Sequence, residues 1–308
     1  MDSPAFIPDG FTVRYKLGSG QTSNVYLAGH PTLGTVALKL PRPEVHAQPH
    51  LRRMFENEVQ ITLSLRHPNI VAGLAGNPTG PGAYLALEYC AGGTLDQHLL
   101  GQRTDTLVQS ARLIHNVAAG LEQTHLQQVL HRDVKPANVF LTAGLTAKLG
   151  DFGTGCFVSE ENRDRVGTAF YMAPEIFEGE PASYASDVYS LGILAYEVLT
   201  GHRPFNGETY EQVMHGHTSG LPRPIESYRK DVPAALAQVV NRAMSREAGR
   251  RYARIKDFLR AFDEASGLAR LAQPAVTGRA SRRPQAEEPG PADAPRKGLF
   301  FGLFRRRS

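Results

Sequence analysis

Apolar and polar positions alternate from Phe11 through Thr12, Val13, Arg14, Tyr15 and Lys16 to Leu17. Period two puts every second side chain on one face, which predicts a half-buried strand. Val25-Tyr26-Leu27-Ala28 and Val36-Ala37-Leu38-Lys39-Leu40 predict two more strands, with Gly34 at the turn between them. From Leu51 to Leu65 the apolar positions move to helical spacing. That pattern stops at His67-Pro68-Asn69, where proline has no N–H to continue a helix. Ile70-Val71 and Tyr84-Leu85-Ala86-Leu87 predict two further short strands. The first ninety residues thus read as strands with one helix among them.

Beyond Gly92-Gly93 the pattern turns helical. Leu107 to Leu126 fits an amphipathic helix. Tyr184 to Leu199 is apolar on nearly every side, which predicts a helix inside a large core. Ala234 to Met244 and Ile255 to Phe262 close the folded part. A small β-rich lobe followed by a larger helical one is an α+β, two-lobed arrangement. From Ser266 the composition shifts to Pro, Ala, Arg and Glu, with five prolines up to Ser308. Such a stretch buries too little apolar surface to offset its ordering entropy, so disorder is expected there.

Composition changes this picture little. The 308 residues are 41% hydrophobic and 21% charged, which excludes whole-chain disorder. Two cysteines, Cys90 and Cys156, exclude a disulfide scaffold and suit a reducing compartment. No apolar run reaches the roughly 18–20 residues of a membrane span, and Met1-Asp2-Ser3-Pro4 carries no basic leader. A cytoplasmic protein is the expectation. Charge is more informative once divided. Residues 266–308 hold nine Lys/Arg against three Asp/Glu, whereas residues 1–265 hold 25 against 27. The body has no basic excess to hold a nucleic-acid backbone, so no nucleic-acid partner is expected.

Chemistry enters at Gly18-Ser19-Gly20-Gln21-Thr22-Ser23-Asn24-Val25, between two predicted strands. Glycines there let backbone amides approach phosphate oxygens. A glycine-containing hairpin turn is the equal alternative on this segment alone. A dinucleotide fingerprint is excluded, because it would open a helix and a strand follows here. Lys39 lies on the strand after that loop, and the neighbouring helix offers Glu56 and Glu58 as ion-pair partners. His131-Arg132-Asp133-Val134-Lys135-Pro136-Ala137-Asn138 is the strong signal. Asp151-Phe152-Gly153 follows, then Ala173-Pro174-Glu175. Each tripeptide is commonplace, but their order and intervals together are not.

On these motifs the chain resembles the eukaryotic-type serine/threonine protein kinases found in bacteria, from about Phe11 to about Phe262. The resemblance implies a kinase domain over 11–265, with an N-lobe over 11–89 and a C-lobe over 90–265. Residues 1–10 are then a lead-in, and 266–308 a disordered basic tail. It also implies ATP and Mg²⁺, with Mn²⁺ as a substitute, transfer to Ser/Thr hydroxyls of protein substrates, and autophosphorylation. Gly18 and Gly20 would cap the phosphates, and Leu17, Ser19, Val25 and Ala37 complete the nucleotide set from the same strands. Lys39 would hold the α- and β-phosphates and pair with Glu58, whose interval to His67-Pro68 fits the family's helix. Glu88 and Cys90 belong to the hinge that binds adenine, with Leu87 behind it, and Cys90 then needs no redox role. Asp133 would accept the substrate proton, Lys135 would neutralise the transferring phosphoryl group, and Asn138 and Asp151 would hold the metal ions. Lys135 and Thr168 are the serine/threonine version of their loops. Glu175 is expected to pair with Arg251, and Asp187 to hold the His131-Arg132 turn.

Retention of Lys39, Asp133, Asn138 and Asp151 argues against a pseudokinase scaffold, and Ala173-Pro174-Glu175 against a small-molecule kinase. Some positions depart from the family's pattern. Ser23 replaces its third glycine and is expected only to stiffen the phosphate loop. Between Gly153 and Gly167 the hydroxyl side chains are Thr154 and Ser159, beside Glu160, Glu161 and Asp164. A carboxylate of that loop is therefore expected to satisfy Arg132, the rival being a phosphorylation switch at Ser159. The β-branched Thr154 leans towards threonine substrates. Residues 297–308 interleave Phe300, Phe301 and Phe304 with Lys297 and Arg305 to Arg307. They read as a basic disordered end, a reversible foot on the inner membrane face, or a docking peptide. As a foot, each buried Phe contributes ~1.5–3 kcal/mol and each Arg ~1 kcal/mol.

Overall fold

Alternation along the first ninety residues becomes an antiparallel sheet of strands β1 (Thr12–Ser19), β2 (Ser23–His30), β3 (Gly34–Pro41), β4 (Gly73–Asn77) and β5 (Tyr84–Glu88), in the order β1-β2-β3-β5-β4. The computed structural model describes residues 4, 6–101, 105–158 and 168–271. A short helix, α1 (Pro43–Ala47), leads into α2 (Pro49–Ser64), which has proline at its first turn. Phe55 and Val59 of α2 pack with Val45 and Leu85, while Tyr26, Val36, Leu38 and Ala86 form a second cluster with Phe11. Each large side chain so buried contributes about 1.5–3 kcal/mol.

One predicted strand is corrected. Ile70 makes an isolated bridge to Leu149, and the Val71 N–H donates to the Leu149 carbonyl at 2.9 Å. The sheet strand is β4, three residues further on. Its glycines gave it no strand pattern, yet packing against α2 requires them: a Cβ on Gly73 would stand 2.9 Å from the Thr62 carbonyl oxygen. Helix α1 also escaped the sequence reading, since five residues are too few to show a period.

The second lobe begins with α3 (Leu95–Leu100) and α4 (Leu107–Leu126). Four short strands follow: β6 (Val129–Leu130), β7 (Val139–Leu141), β8 (Ala147–Leu149) and β9 (Cys156–Phe157), with β6 paired to β9 and β7 to β8. Then come α5 (Pro174–Phe177), α6 (Tyr184–Thr200), α7 (Tyr210–Ser219), α8 (Ala234–Ala243), α9 (Ile255–Ser266) and α10 (Leu268–Leu271). Thirteen of the seventeen α6 residues are buried, the arrangement its all-round apolar pattern predicts. Helices α4, α8 and α9 share its core through Ile114, Leu121, Leu236, Val240, Phe258 and Phe262.

Helical structure continues past Ser266, where the composition changes. Gly267 takes φ +79°, and Leu268 of α10 packs on the core. Among the described residues no helix is long and apolar enough to cross a membrane.

Candidate active site

A cleft of about 700 Å³ runs beneath β1–β3 and above the β7–β8 hairpin. Every candidate site residue from the sequence lines it except Asn138, which is buried behind Asp133. Strand alternation explains the roof: Ala37 and Lys39 share one face of β3, opposite Leu27 and Val25 of β2. Lys39 reaches from that face to α2 and forms an ion pair with Glu58, which is 1% exposed. The same ammonium stands 3.0 Å from Asp151 Oδ1. Burial would lower the Lys39 pKa, but the charges of Asp151 and Glu58 outweigh it and keep the ammonium. Lys39 in turn pulls the Asp151 carboxyl down to about 2. Of the two glutamates offered by α2, Glu58 lies on the buried face and Glu56 does not.

Across the cleft, Asp133 is held from several directions. Lys135 Nζ donates to Oδ2 at 2.6 Å and Asn138 Nδ2 donates to the same oxygen at 3.0 Å. The Thr168 N–H and hydroxyl both donate to Oδ1, at 3.0 and 3.2 Å. Lys135 also donates to Thr168 Oγ1 at 2.6 Å. Such a network restricts the carboxylate, which lines the cleft, to one orientation. The loop itself is held from below: Asp187 accepts the His131 and Arg132 amides, both at 2.9 Å. Arg132 takes φ +68°, a strained conformation that those two bonds sustain. Sequence reading missed His125, whose Nε2 lies 2.8 Å from Asp187 Oδ2. It sits six residues before the loop and carries no motif of its own.

Glu175 and Arg251 form a bidentate pair with both contacts at 2.7 Å, anchoring α5 to the helical lobe. At the hinge the Glu88 carboxylate turns away from the cleft, meeting Lys148 Nζ at 2.9 Å and accepting the Ala72 amide at 3.1 Å. That leaves the hinge backbone to face a ligand. Burial, reinforced by the Glu88 charge, pushes the Cys90 thiol up to about 11, so it stays protonated. The cleft also gains Met54, Thr62, Val71 and Phe140, which no linear pattern marked. Ser159, Glu160, Glu161, Asp164 and the segment 297–308 lie outside the described residues, as does any partner they offer Arg132.

The donor set suits a hard cation that also binds phosphate. Asp151 supplies a carboxylate kept ionised, and Asn138, with its amide nitrogen on Asp133, presents its amide oxygen. Among the described residues no three His, Cys, Asp or Glu side chains gather as a metal site. A cation held by Asp151 and Asn138 would thus share its ligation with phosphate and water.

A model of the protein kinase domain matches residues 11–262. The chain is 33% identical over 263 residues to serine/threonine-protein kinase PknB of Mycobacterium tuberculosis, covering 82% of this chain and 42% of that protein. It is 34% identical over 266 residues to PknB of Mycolicibacterium smegmatis, with the same two coverages of 82% and 42%. It is 32% identical over 255 residues to serine/threonine-protein kinase PknH of Mycobacterium bovis, covering 81% and 43%. The chain spans less than half the length of these curated relatives. Because the family match runs through both lobes and the cleft between them, the chain belongs to the protein kinase family, in the eukaryotic-type serine/threonine group that bacteria carry.

Proposed function

We propose that the chain transfers the γ-phosphoryl group of ATP to serine or threonine hydroxyls of proteins, itself included. The observation that carries this reading is Asp133, fixed by Lys135, Asn138 and Thr168 across a cleft whose roof holds the Lys39–Glu58 pair. The two lobes thus present a base on one side and a phosphate cradle on the other.

Adenine would lie against the hinge backbone at Glu88 to Cys90, and the phosphates under Gly18 to Gly20. Lys39, held by Glu58, positions the α- and β-phosphates. Asp133 accepts the proton of the substrate hydroxyl while its oxygen bonds to the γ-phosphorus, and the bond to the ADP oxygen breaks. Lys135 stands beside Asp133 and offsets the charge on the transferring group. Asn138 and Asp151 would hold Mg²⁺, with Mn²⁺ as a substitute, which supplies charge neutralisation along the phosphates. The anchored α5 segment supports a protein substrate over a small molecule.

We assign catalysis to residues 11–265, in the cytoplasm, and a reversible foot on an anionic membrane face to residues 297–308. Co-sedimentation with anionic liposomes is expected for the full chain and not for a chain ending at residue 296. Equal sedimentation of both would refute the foot. For the enzyme, labelled γ-phosphate from ATP/Mg²⁺ is offered to a generic basic protein and to the chain itself, beside Asp133→Asn. Incorporation is expected to fall by about 10²–10⁴ in the variant while nucleotide binding persists. Binding without transfer by the wild type would turn the reading into a scaffold.

A further inference from the structure

The segment after Thr168 carries a set of charges that the transfer chemistry does not use. Asp133, Thr168 and Tyr171 line one small cavity, so this segment borders the place where a substrate hydroxyl must meet the base. The Tyr171 hydroxyl donates to Glu197 Oε2 at 2.5 Å, near the end of α6. Three residues beyond that helix, the Arg203 guanidinium stands 3.8 Å from the centre of the Phe170 ring. Asp96, in the first turn of α3, completes the group. Its charge and that of Arg203 both act on Tyr171 and Glu197, with opposite signs. Two carboxylates and one guanidinium, all half-buried, thus gather beside the base. Phe170 is two residues from Thr168, a span of at most about 7 Å of backbone, so the group lies within reach of substrate residues up to about four from the acceptor.

The three charges are unequally engaged. Burial pushes the Glu197 carboxyl up, while the Tyr171 hydrogen bond and the Arg203 charge pull it back. Asp96 Oδ1 is shut off from water and has no hydrogen-bond partner among the described residues. A carboxylate oxygen in that condition is disfavoured unless a positive charge stands near it. Arg203 is the cation that the fold supplies. It is fixed by the Phe170 face, a cation–π contact, and offsets both carboxylates through space without a salt bridge to either.

We propose that Arg203 is a specificity-determining residue, a built-in counter-ion to Asp96 and Glu197 that directs the chain to substrates with uncharged residues around the acceptor hydroxyl. The inference rests on the reading of the chain as a kinase of protein hydroxyls. Without a cation of its own, a pair of carboxylates beside the base would draw in an arginine or lysine of the passing peptide. With Arg203 in place, such a side chain meets a like charge where it would otherwise find partners, and is rejected. An acidic side chain gains little either, because Asp96 and Glu197 remain. Uncharged flanks meet neither penalty.

The test is a set of peptides with one threonine among alanines, in which a single arginine or glutamate is moved through the four positions on either side. Phosphoryl transfer from ATP/Mg²⁺ to each is compared for wild type, Arg203→Met and Arg203→Lys. Wild type is expected to favour the all-alanine peptide over, or equally with, every arginine peptide. Arg203→Met keeps the stem over Phe170 and removes the charge. It is expected to raise kcat/KM roughly tenfold for arginine at one or two positions, the scale of a hydrogen bond between charged groups. The gain lies in KM, and the all-alanine peptide changes by no more than about twofold. Arg203→Lys keeps the charge and behaves as wild type, and adding Asp96→Asn to Arg203→Met cancels the gain. An arginine response identical in wild type and Arg203→Met overturns the proposal. So does a glutamate preference of the wild type that Arg203→Met abolishes, which would make Arg203 a direct partner of an acidic substrate. Should Arg203→Met not fold, Arg203→Gln is read on the same set. A wild type that phosphorylates no peptide of the set overturns the protein-kinase reading and this inference with it.

Discussion

Asp133 receives hydrogen bonds from three side chains and one backbone amide, so its carboxylate has little freedom to rotate. Thr168 is the member furthest away in sequence, and it joins Lys135 to Asp133 through one hydroxyl. Thr168→Val removes that link and keeps the N–H contact. Phosphoryl transfer is expected to fall about 10- to 100-fold, the scale of a misplaced catalytic group. Nucleotide affinity stays unchanged, because Thr168 does not touch the roof. Measuring kcat beside the Kd for ATP checks this, and Thr168→Ser is expected to keep most of the activity. Residues inside contiguous motifs, such as Asp133, Lys135 and Asn138, could be read from the chain directly because a tight loop fixes their mutual reach. Choosing Glu58 over Glu56 from the chain needed the family's interval, since both lie on one predicted helix. In the fold, Glu58 is buried and takes the Lys39 ammonium.

At the scale of elements, α4 passes so close to the segment after α2 that a Cβ on Gly120 would stand 2.4 Å from the Asn69 carbonyl oxygen. Asn69 is a junction: its carbonyl accepts the Leu149 amide at 2.8 Å and its side chain donates to the Ala147 carbonyl at 3.0 Å. Helix propensity favours alanine over glycine by about 1 kcal/mol. Overpacking costs about 1–3 kcal/mol and falls here on backbone, which yields poorly. Gly120→Ala is therefore expected to lower stability by up to about 2 kcal/mol, read from the urea midpoint at constant m. Long periodic elements such as α4 and α6 were readable because burial of one face, or of all faces, dictates their pattern. Strand β4 and helix α7 were not. Glycines chosen for close approach to α2 erase the strand signal in β4, and α7 buries only Val213 and His217.

For the whole molecule, His217 joins three helices of the larger lobe. It is 1% exposed, its Nδ1 lies 2.8 Å from the Tyr189 hydroxyl, and the rings of Phe177 and Phe205 flank it. Burial pushes its imidazole down to about 4 from an ordinary 6.5, so the fold holds the neutral ring. The unfolded chain then binds the extra proton between those values. Stability from this residue is complete above about pH 6.5 and is lost as the pH falls toward 4. Between pH 7 and pH 5 the loss is about 2 kcal/mol. His217→Gln, which does not titrate, is expected to show a drop smaller by that amount, measured by urea unfolding at both pH values. An unchanged drop would show that the ring is not neutral in the fold.

Three things were determined by the amino-acid order alone: the two-lobed α+β class, the loop chemistry around Asp133, and the identity of the ion-pairing lysine. Local forces suffice for these, since periodic burial and short motif intervals act within a few turns of chain. Tertiary structure decided the rest. It turned the Glu88 side chain onto Lys148 and added His125 to Asp187. Each of these depends on strand register or helix packing between distant segments, and a one-residue slip in either would put the side chain on the opposite face.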